Sequence, residues 1–242
     1  MRSAEIERFV GFLRDKRSVF VLTGAGISAD SGIPTFRGQD GIWKNYQATD
    51  LATLSAFQRN PQIVWEWYHW RQSIILDAEP NEGHRALVHL EEYCPSFLIL
   101  TQNVDGLQQK AGSKSVLELH GNIFRARCMD CGQTIHHELE PEIPKCVCGA
   151  MMRPDVVWFG EPVPTDVLQR SFAFIDSCDL VIVIGTSAVV QPAASLPVYG
   201  KNRGRQLVVV NREATPLSDL ADLNLFGHAA EILSDIVRGL NG

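Results

Sequence analysis

Leu180-Val181-Ile182-Val183-Ile184 is apolar without a break, with Asp179 before it and Gly185 after it. A strand with one wet face alternates polar and apolar residues, so an unbroken β-branched run belongs in a strand covered on both faces. Val19-Phe20-Val21-Leu22, Phe97-Leu98-Ile99-Leu100 and Leu207-Val208-Val209-Val210 read the same way. Between these runs lie segments with helical periodicity, at 82–93, 167–177 and 230–240. Strands alternating with helices predict an α/β fold, a Rossmann-like, doubly wound parallel sheet. A chain of 242 residues, 45% of them hydrophobic, has room for one sizeable core and a smaller appended module.

Two stretches break the alternation. Residues 36–80 run from a polar loop into an aromatic-rich helix, and residues 122–153 hold a cysteine cluster with Pro141 and Pro144 limiting any long element. Both read as insertions. The expected division is a discontinuous large domain (1–35, 81–121 and 154–242) and a small domain (36–80 and 122–153) formed by the two insertions.

Four of the six cysteines fall in this cluster, as Cys128-x2-Cys131, fourteen residues, then Cys146-x1-Cys148. The N-terminus lacks the apolar core of a signal peptide, so clustered thiols point to metal rather than disulfides. Two close pairs suit one tetrahedral structural zinc, closed to substrate. The single residue within the second pair departs from the commoner two, and His136 or His137 could replace a cysteine. Cys94 and Cys178 read as core thiols.

The run at Val19 leads directly into Thr23-Gly24-Ala25-Gly26-Ile27-Ser28-Ala29. Glycines so placed after a strand let backbone amides and a helix N-terminus approach a pyrophosphate, although a tight strand-to-helix turn fits the same residues. A dehydrogenase would continue to a second strand ending in an acidic residue about 20 positions on. This chain continues instead through Ser31-Gly32-Ile33-Pro34-Thr35-Phe36-Arg37-Gly38. Three more polar clusters follow apolar runs: Gln102-Asn103-Val104-Asp105, Gly185-Thr186-Ser187 and Asn211-Arg212-Glu213. Each alone is an ordinary loop start. Together they sit where a doubly wound sheet places its ligand.

Gly24-Ala25-Gly26-Ile27-Ser28, Gly32-Ile33-Pro34-Thr35-Phe36-Arg37, Thr101-Gln102-Asn103-Val104-Asp105, Leu119-His120-Gly121 and Gly185-Thr186-Ser187 together resemble the sirtuins. The likeness runs in the family's order from about residue 19 to residue 211. It implies an NAD-dependent protein-lysine deacylase with a large NAD-binding domain, a small domain combining a helical module with a zinc ribbon, and a cleft between them for NAD and acyl-lysine. By motif, Gly24, Ala25, Gly26, Ser28, Ala29, Gly32 and Ile33 would lie along the NAD phosphates. Thr35, Phe36, Arg37 and Trp43 would belong to the cofactor loop. Gln102, Asn103, Val104 and Asp105 would line the nicotinamide and ribose region. Gly185, Thr186, Ser187, Asn211, Arg212, Glu213 and Ala229 would complete the NAD contacts. The implied chemistry uses no zinc. The acyl oxygen attacks the ribose carbon as nicotinamide leaves, and His120 takes a ribose hydroxyl proton so that this hydroxyl can complete the transfer. Asn103 would orient ribose and water. Histidine suits the base because it titrates near working pH. Without the motif, His120-Gly121 reads as a turn.

Tyr68 and Arg71 are three residues apart in Trp65-Glu66-Trp67-Tyr68-His69-Trp70-Arg71-Gln72, hence on one helical face. Taken bare, they are an aromatic wall and a solvated arginine. They also look like the Tyr-x-x-Arg of sirtuins that remove succinyl, malonyl or glutaryl groups, where an arginine fork grips a carboxylate and the tyrosine adds a donor. Ala48 would keep that pocket roomy, and the resemblance implies deacetylation beside desuccinylation. Val156-Val157-Trp158-Phe159-Gly160 reads either as one more buried strand or, by resemblance, as an extended segment pairing with substrate backbone.

The expected partners are acylated-lysine proteins and peptides. A net charge of −6 speaks against nucleic acid, and the longest aliphatic run is too short for a membrane span. A cytoplasmic monomer is expected. Competing readings are mono-ADP-ribosyl transfer, a zinc module that senses NAD without turnover, and an ordinary dehydrogenase.

Overall fold

The computed structural model describes residues 2–34, 47–140 and 142–242. The chain opens with helix α1 (Arg2–Asp15), strand β1 (Ser18–Thr23) and two 3-10 turns (Ala25–Ile27 and Ala29–Ser31). Helices α2 (Ala48–Leu51), α3 (Leu54–Arg59), α4 (Pro61–Leu76) and α5 (Glu82–Tyr93) follow, then β2 (Ser96–Thr101), α6 (Leu107–Ala111) and β3 (Val116–Glu118). Next come β4 (Gly121–Cys128), β5 (Thr134–His136) and β6 (Met152–Val156). The chain ends with α7 (Thr165–Ser177), β7 (Leu180–Ile184), α8 (Ser195–Asn202), β8 (Gln206–Asn211), β9 (Leu223–Phe226) and α9 (Ala229–Asn241).

Six strands form one parallel sheet in the order β3-β2-β1-β7-β8-β9. The expected doubly wound sheet is therefore present, and all four apolar runs lie inside it. Because side chains alternate across a strand, each run feeds two cores. Val19 and Val21 enter a cluster with Phe9, Leu13, Leu87, Leu90, Leu233 and Ile236 from α1, α5 and α9. Phe20 and Leu22 enter the opposite cluster, with Ile175 of α7 and Leu196 of α8. Strand order reverses between β1 and β7, so the loops after these two strands diverge over one crevice.

A second, antiparallel sheet of three strands, β5-β4-β6, carries the cysteines. A third apolar cluster joins it to the helices of 48–76, with Phe57, Trp65, Trp67, Tyr68, Ile123, Met152 and Trp158 among its members. Polar bonds lock α4 onto this sheet. Trp65 Nε1 donates to Met152 O at 3.2 Å, and Gln72 Nε2 donates to Ile123 O at 2.7 Å and His137 O at 2.9 Å. Among the described residues no helix is long and apolar enough to cross a membrane.

Candidate active site

The glycines after β1 serve a close approach between two backbones. Gly24 N–H donates to Ile184 O at 3.0 Å and Gly26 N–H to Gly185 O at 2.7 Å. A Cβ on Gly26 would lie 2.7 Å from Gly185 Cα, and one on Gly185 would lie 2.5 Å from Ile27 N. No side chain fits there, so the β1 and β7 loops are fused at the switch point. The loop then enters two 3-10 turns, closed by Gly32, rather than the α-helix that a dinucleotide-binding loop predicts. The Gly26 amide is committed to Gly185 O.

Around this junction the strand-end residues converge. Gln102 Nε2 donates to Thr23 O at 3.3 Å and to Thr186 Oγ1 at 3.1 Å, tying the ends of β1, β2 and β7. Asn103 Nδ2 donates to Gly24 O and to Ser28 Oγ, both at 3.1 Å, which leaves its carbonyl oxygen for a ligand. Ser28 Oγ donates to Asp105 Oδ2 at 2.8 Å, and Leu107 N–H donates to Asp105 Oδ1 at 2.9 Å. Burial pushes the Asp105 carboxyl above its ordinary range, against the pull of the Leu107 and Ser28 bonds and the Arg71 charge.

His84 completes this buried group, and sequence reasoning missed it. Its Nδ1 accepts the Asn81 backbone N–H at 3.3 Å, so the ring hydrogen is on Nε2, which faces Ser28 Oγ at 3.4 Å. Burial, with the Arg85 charge second, lowers the His84 pKa to about 4 and keeps the ring neutral. Asn81 Nδ2 reaches Ile27 O at 2.8 Å and Ser31 Oγ at 2.9 Å, bracing the turns after β1. The one sequence signal for this pair is the Asn81-x-x-His84 spacing of a helix cap, which announces α5 and not a site.

His120 lies between β3 and β4. Its Nδ1 is 2.9 Å from Gln102 O, and a carbonyl only accepts, so Nδ1 carries the hydrogen. The neutral ring then presents an unprotonated Nε2. Burial lowers its pKa, and the Gln102 bond only partly opposes this. A neutral imidazole of fixed orientation is what a general base requires.

Other expected contacts divide. Ser187, Arg212 and Glu213 are exposed at the sheet's carboxyl edge, with Asn211 Nδ2 donating to Glu213 O at 2.8 Å. Arg212 reaches Asp30 at 3.4 Å, joining that edge to the turns after β1. Ile33, Val104 and Ala229 are buried in apolar clusters, so their side chains face packing rather than the crevice. Ala25 and Ala29 are half-buried. Thr35, Phe36, Arg37 and Trp43, with the side chain of Ala48, lie outside the described residues.

Tyr68 and Arg71 are both buried, so the wall-and-solvated-arginine alternative does not describe this arginine. Desolvation holds the Arg71 pKa below its usual value while the nearby Tyr68 and Asp105 raise it. Burial pushes the Tyr68 phenol up to about 12, against the Trp158 bond and the Arg71 charge. Both groups keep their protons and offer them as donors.

Only Val156 of the segment 156–160 belongs to a strand. Val157 N–H donates to His120 O and Phe159 N–H to Ala52 O, both at 2.9 Å, and the chain turns at Phe159-Gly160 so that Glu161 N–H meets Trp158 O at 3.0 Å. The segment thus bridges His120 to the α2 region. Phe159 is exposed and Trp158 is buried.

The four cysteine sulfurs lie within 4.8 Å of one another, with Cys128–Cys148 and Cys131–Cys146 each at 3.5 Å. Zinc–sulfur bonds of about 2.3 Å at tetrahedral angles need sulfur separations of about 3.8 Å, so the set fits one closed zinc site. The histidine alternatives point elsewhere. His136 Nε2 faces Glu138 at 3.3 Å, and His137 Nε2 faces His69 Nε2 at 3.3 Å.

Comparison with known proteins agrees with this geometry. A family model described as the Sir2 family matches residues 24–192. An NAD-dependent protein deacylase of Aquifex aeolicus (strain VF5) is 52% identical over 211 residues, covering 86% of this chain and 88% of the relative. One of the same name from Thermococcus kodakarensis is 48% identical, covering 92% and 90%. The solved structure of a Sir2 homolog–NAD complex superposes with a TM-score of 0.93 at 44% identity, over 97% of this chain and 93% of that one. A Sir2–p53 peptide–NAD+ complex gives a TM-score of 0.87 at 36% identity, over 96% of each chain. Matched over most of its length by family, by curated relatives and by solved structures, this chain belongs to the Sir2 family.

Proposed function

We propose that this chain is an NAD-dependent protein-lysine deacylase that removes acetyl and succinyl groups, with malonyl and glutaryl groups as further substrates. The products on this reading are free lysine, nicotinamide and O-acyl-ADP-ribose. The observation that carries the proposal is His120, a neutral histidine whose Nδ1–H is committed to Gln102 O and whose Nε2 is left as a base. The names of its relatives, and the NAD bound in a structure so similar, support the same reading.

NAD supplies the electrophilic ribose carbon when bound. Around it, Ser28, Asn103 and Asp105 form a rigid floor that orients the ribose, and His120 accepts a ribose hydroxyl proton at Nε2. The fused loops of Gly24–Gly26 and Gly185 shape the phosphate side. Tyr68 and Arg71 receive the end of the acyl chain, two donors suited to a carboxylate. The segment 156–160 takes the substrate backbone and bridges it to His120. Zinc, held by Cys128, Cys131, Cys146 and Cys148, keeps the ribbon folded and takes no part in the chemistry. The partners on this reading are acylated-lysine proteins met in the cytoplasm, and the working form is a monomer.

The test is mass spectrometry of acetyl-, succinyl- and butyryl-lysine peptides incubated with the protein, with and without NAD. Removal of acetyl and succinyl groups only with NAD, with nicotinamide in equal amount, is expected. Peptides left acylated in the presence of NAD would end the proposal.

A further inference from the structure

Trp158 Nε1 lies 2.9 Å from Tyr68 Oη across ninety residues of sequence, and both side chains are buried. An indole N–H only donates, so Tyr68 is the acceptor. The phenol hydrogen is therefore free for another partner, and among the described residues no protein acceptor takes it. Trp158 itself is held from two sides. Its backbone N–H donates to Glu161 Oε2 at 2.9 Å, and the Arg153 guanidinium lies 3.3 Å from its ring centroid. Arg153 is in turn paired with the Glu161 carboxylate and donates to Val156 O at 2.8 Å. Phe57 packs against the same indole at a centroid distance of 5.3 Å.

We infer that Trp158 is a positioning residue for the acyl pocket, its indole N–H fixing the Tyr68 hydroxyl as a dedicated donor to the terminal carboxylate of an acidic acyl group. This rests on the proposed acidic-acyl reading. With no indole N–H at position 158, the Tyr68 hydroxyl is free to rotate, and its proton no longer points at one partner. The device also ties the acyl end of the substrate to the segment that meets its backbone, because Trp158 belongs to that segment.

The experiment compares Trp158→Phe, Tyr68→Phe, the double variant and Arg71→Met in the full chain, with succinyl- and acetyl-lysine peptides and saturating NAD. A net hydrogen bond of ordinary strength predicts that Trp158→Phe lowers the succinyl-to-acetyl ratio of kcat/KM by about 3- to 10-fold, mainly through KM. Tyr68→Phe should match it, and the double variant should fall no further than Tyr68→Phe alone. Losses that multiply in the double variant, or a Trp158→Phe loss equal for both acyl groups, overturn the inference. A fallen ratio in Arg71→Met with none in Trp158→Phe overturns it while leaving the acidic-acyl reading intact. An unchanged ratio in Arg71→Met and Tyr68→Phe brings down both. Should Trp158→Phe not fold, 15N-indole spectra of the five tryptophans decide. Tyr68→Phe is expected to move one indole N–H resonance upfield and speed its exchange with solvent. No resonance responding to Tyr68→Phe overturns the inference.

Discussion

Strand β7 has all five residues buried, Leu180, Ile182 and Ile184 against one apolar cluster and Val181 and Val183 against another. Strand β5 has three residues, all of them exposed. The six-stranded sheet is clamped between two layers of helix, so its inner strands β2, β1, β7 and β8 bury side chains on both faces. The ribbon rests on α4 by one side, and its far end is gathered by four thiols. The difference teaches where stability comes from in each region: apolar burial summed over many residues in the first, a few coordinate bonds in the second. The candidate site draws on both, because His120 stands between β3 of the large sheet and β4 of the ribbon.

The largest expected effect is on metal removal. A structural zinc contributes roughly 10–16 kcal/mol in small zinc-finger peptides, which is comparable to the entire stability of an ordinary domain. Chelation, or Cys146→Ser, should therefore strip hydrogen-exchange protection from β4, β5 and the cysteine turns. The amides of β1 and β7 should remain protected. Protection lost together in both sheets would break the comparison, since the ribbon would then be part of the main cooperative unit.

Alanine at two glycines sharpens it. At Gly185 the new Cβ would meet Ile27 N at 2.5 Å and the φ of +60° is unfavourable as well. Overpacking and a left-handed backbone together predict a loss of about 2–5 kcal/mol. Gly149, in the ribbon, has a similar backbone at φ +89° but no atom within 4 Å of its Cβ position. Only the backbone term applies there, about 1–2 kcal/mol. Denaturant titration of the two variants measures both. Equal losses would mean that the close approach of the β1 and β7 loops contributes nothing beyond backbone strain.

The two regions were also unequally legible in sequence. Runs such as Val19–Leu22 announce themselves because both faces are apolar, and each lies within a strand of the large sheet. Edge strand β9 hides, since Leu223 and Leu225 are buried while Phe226 is exposed in a mere four residues. Helix α1 carries its buried face in the spacing of Ile6, Phe9, Val10 and Leu13, and α5 matches the expected 82–93 to the residue. In the site, motif residues such as Ser28, Asn103 and Asp105 meet as the strand-end rule requires. His84 could not be seen in advance, because its partner Ser28 is fifty-six residues away and only the packing of α5 brings them together. Trp158 was legible as part of a backbone segment, but its indole contact with Tyr68 exists only once α4 docks on β6.

His120 tests whether chemistry can be removed without disturbing either region. His120→Ala should fold, bind NAD and lose about a hundredfold or more in turnover, equivalent to about 2.7 kcal/mol of barrier. The pH dependence has a definite sign. Burial lowers the His120 pKa below 6.5, so the ring is neutral and active at pH 7. Activity should decline only as pH falls through that depressed value, and the decline should be absent from the residual rate of His120→Ala. Turnover within a few-fold of the unaltered protein would remove His120 from the mechanism.

Arg71 carries a smaller effect on turnover than His120 and the sharpest meaning. It sits on the ribbon side, on α4, yet its charge is felt by Asp105 on the sheet side. A succinyl carboxylate must leave water to enter a buried pocket, so it needs charge-assisted partners there. Such bonds are worth on the order of 1.5–3 kcal/mol, which predicts a loss of about 10- to 100-fold in desuccinylation kcat/KM for Arg71→Met. Deacetylation should change little or improve, because a neutral acetyl group gains nothing from a guanidinium. Steady-state kinetics on matched succinyl- and acetyl-lysine peptides separate the cases. Equal loss on both peptides would assign Arg71 to support of Asp105 and the NAD floor, and the acidic-acyl pocket would have no gatekeeper. A loss confined to succinyl-lysine would mean that α4, docked on the zinc-held ribbon, sets which acyl group the sheet-side chemistry can reach.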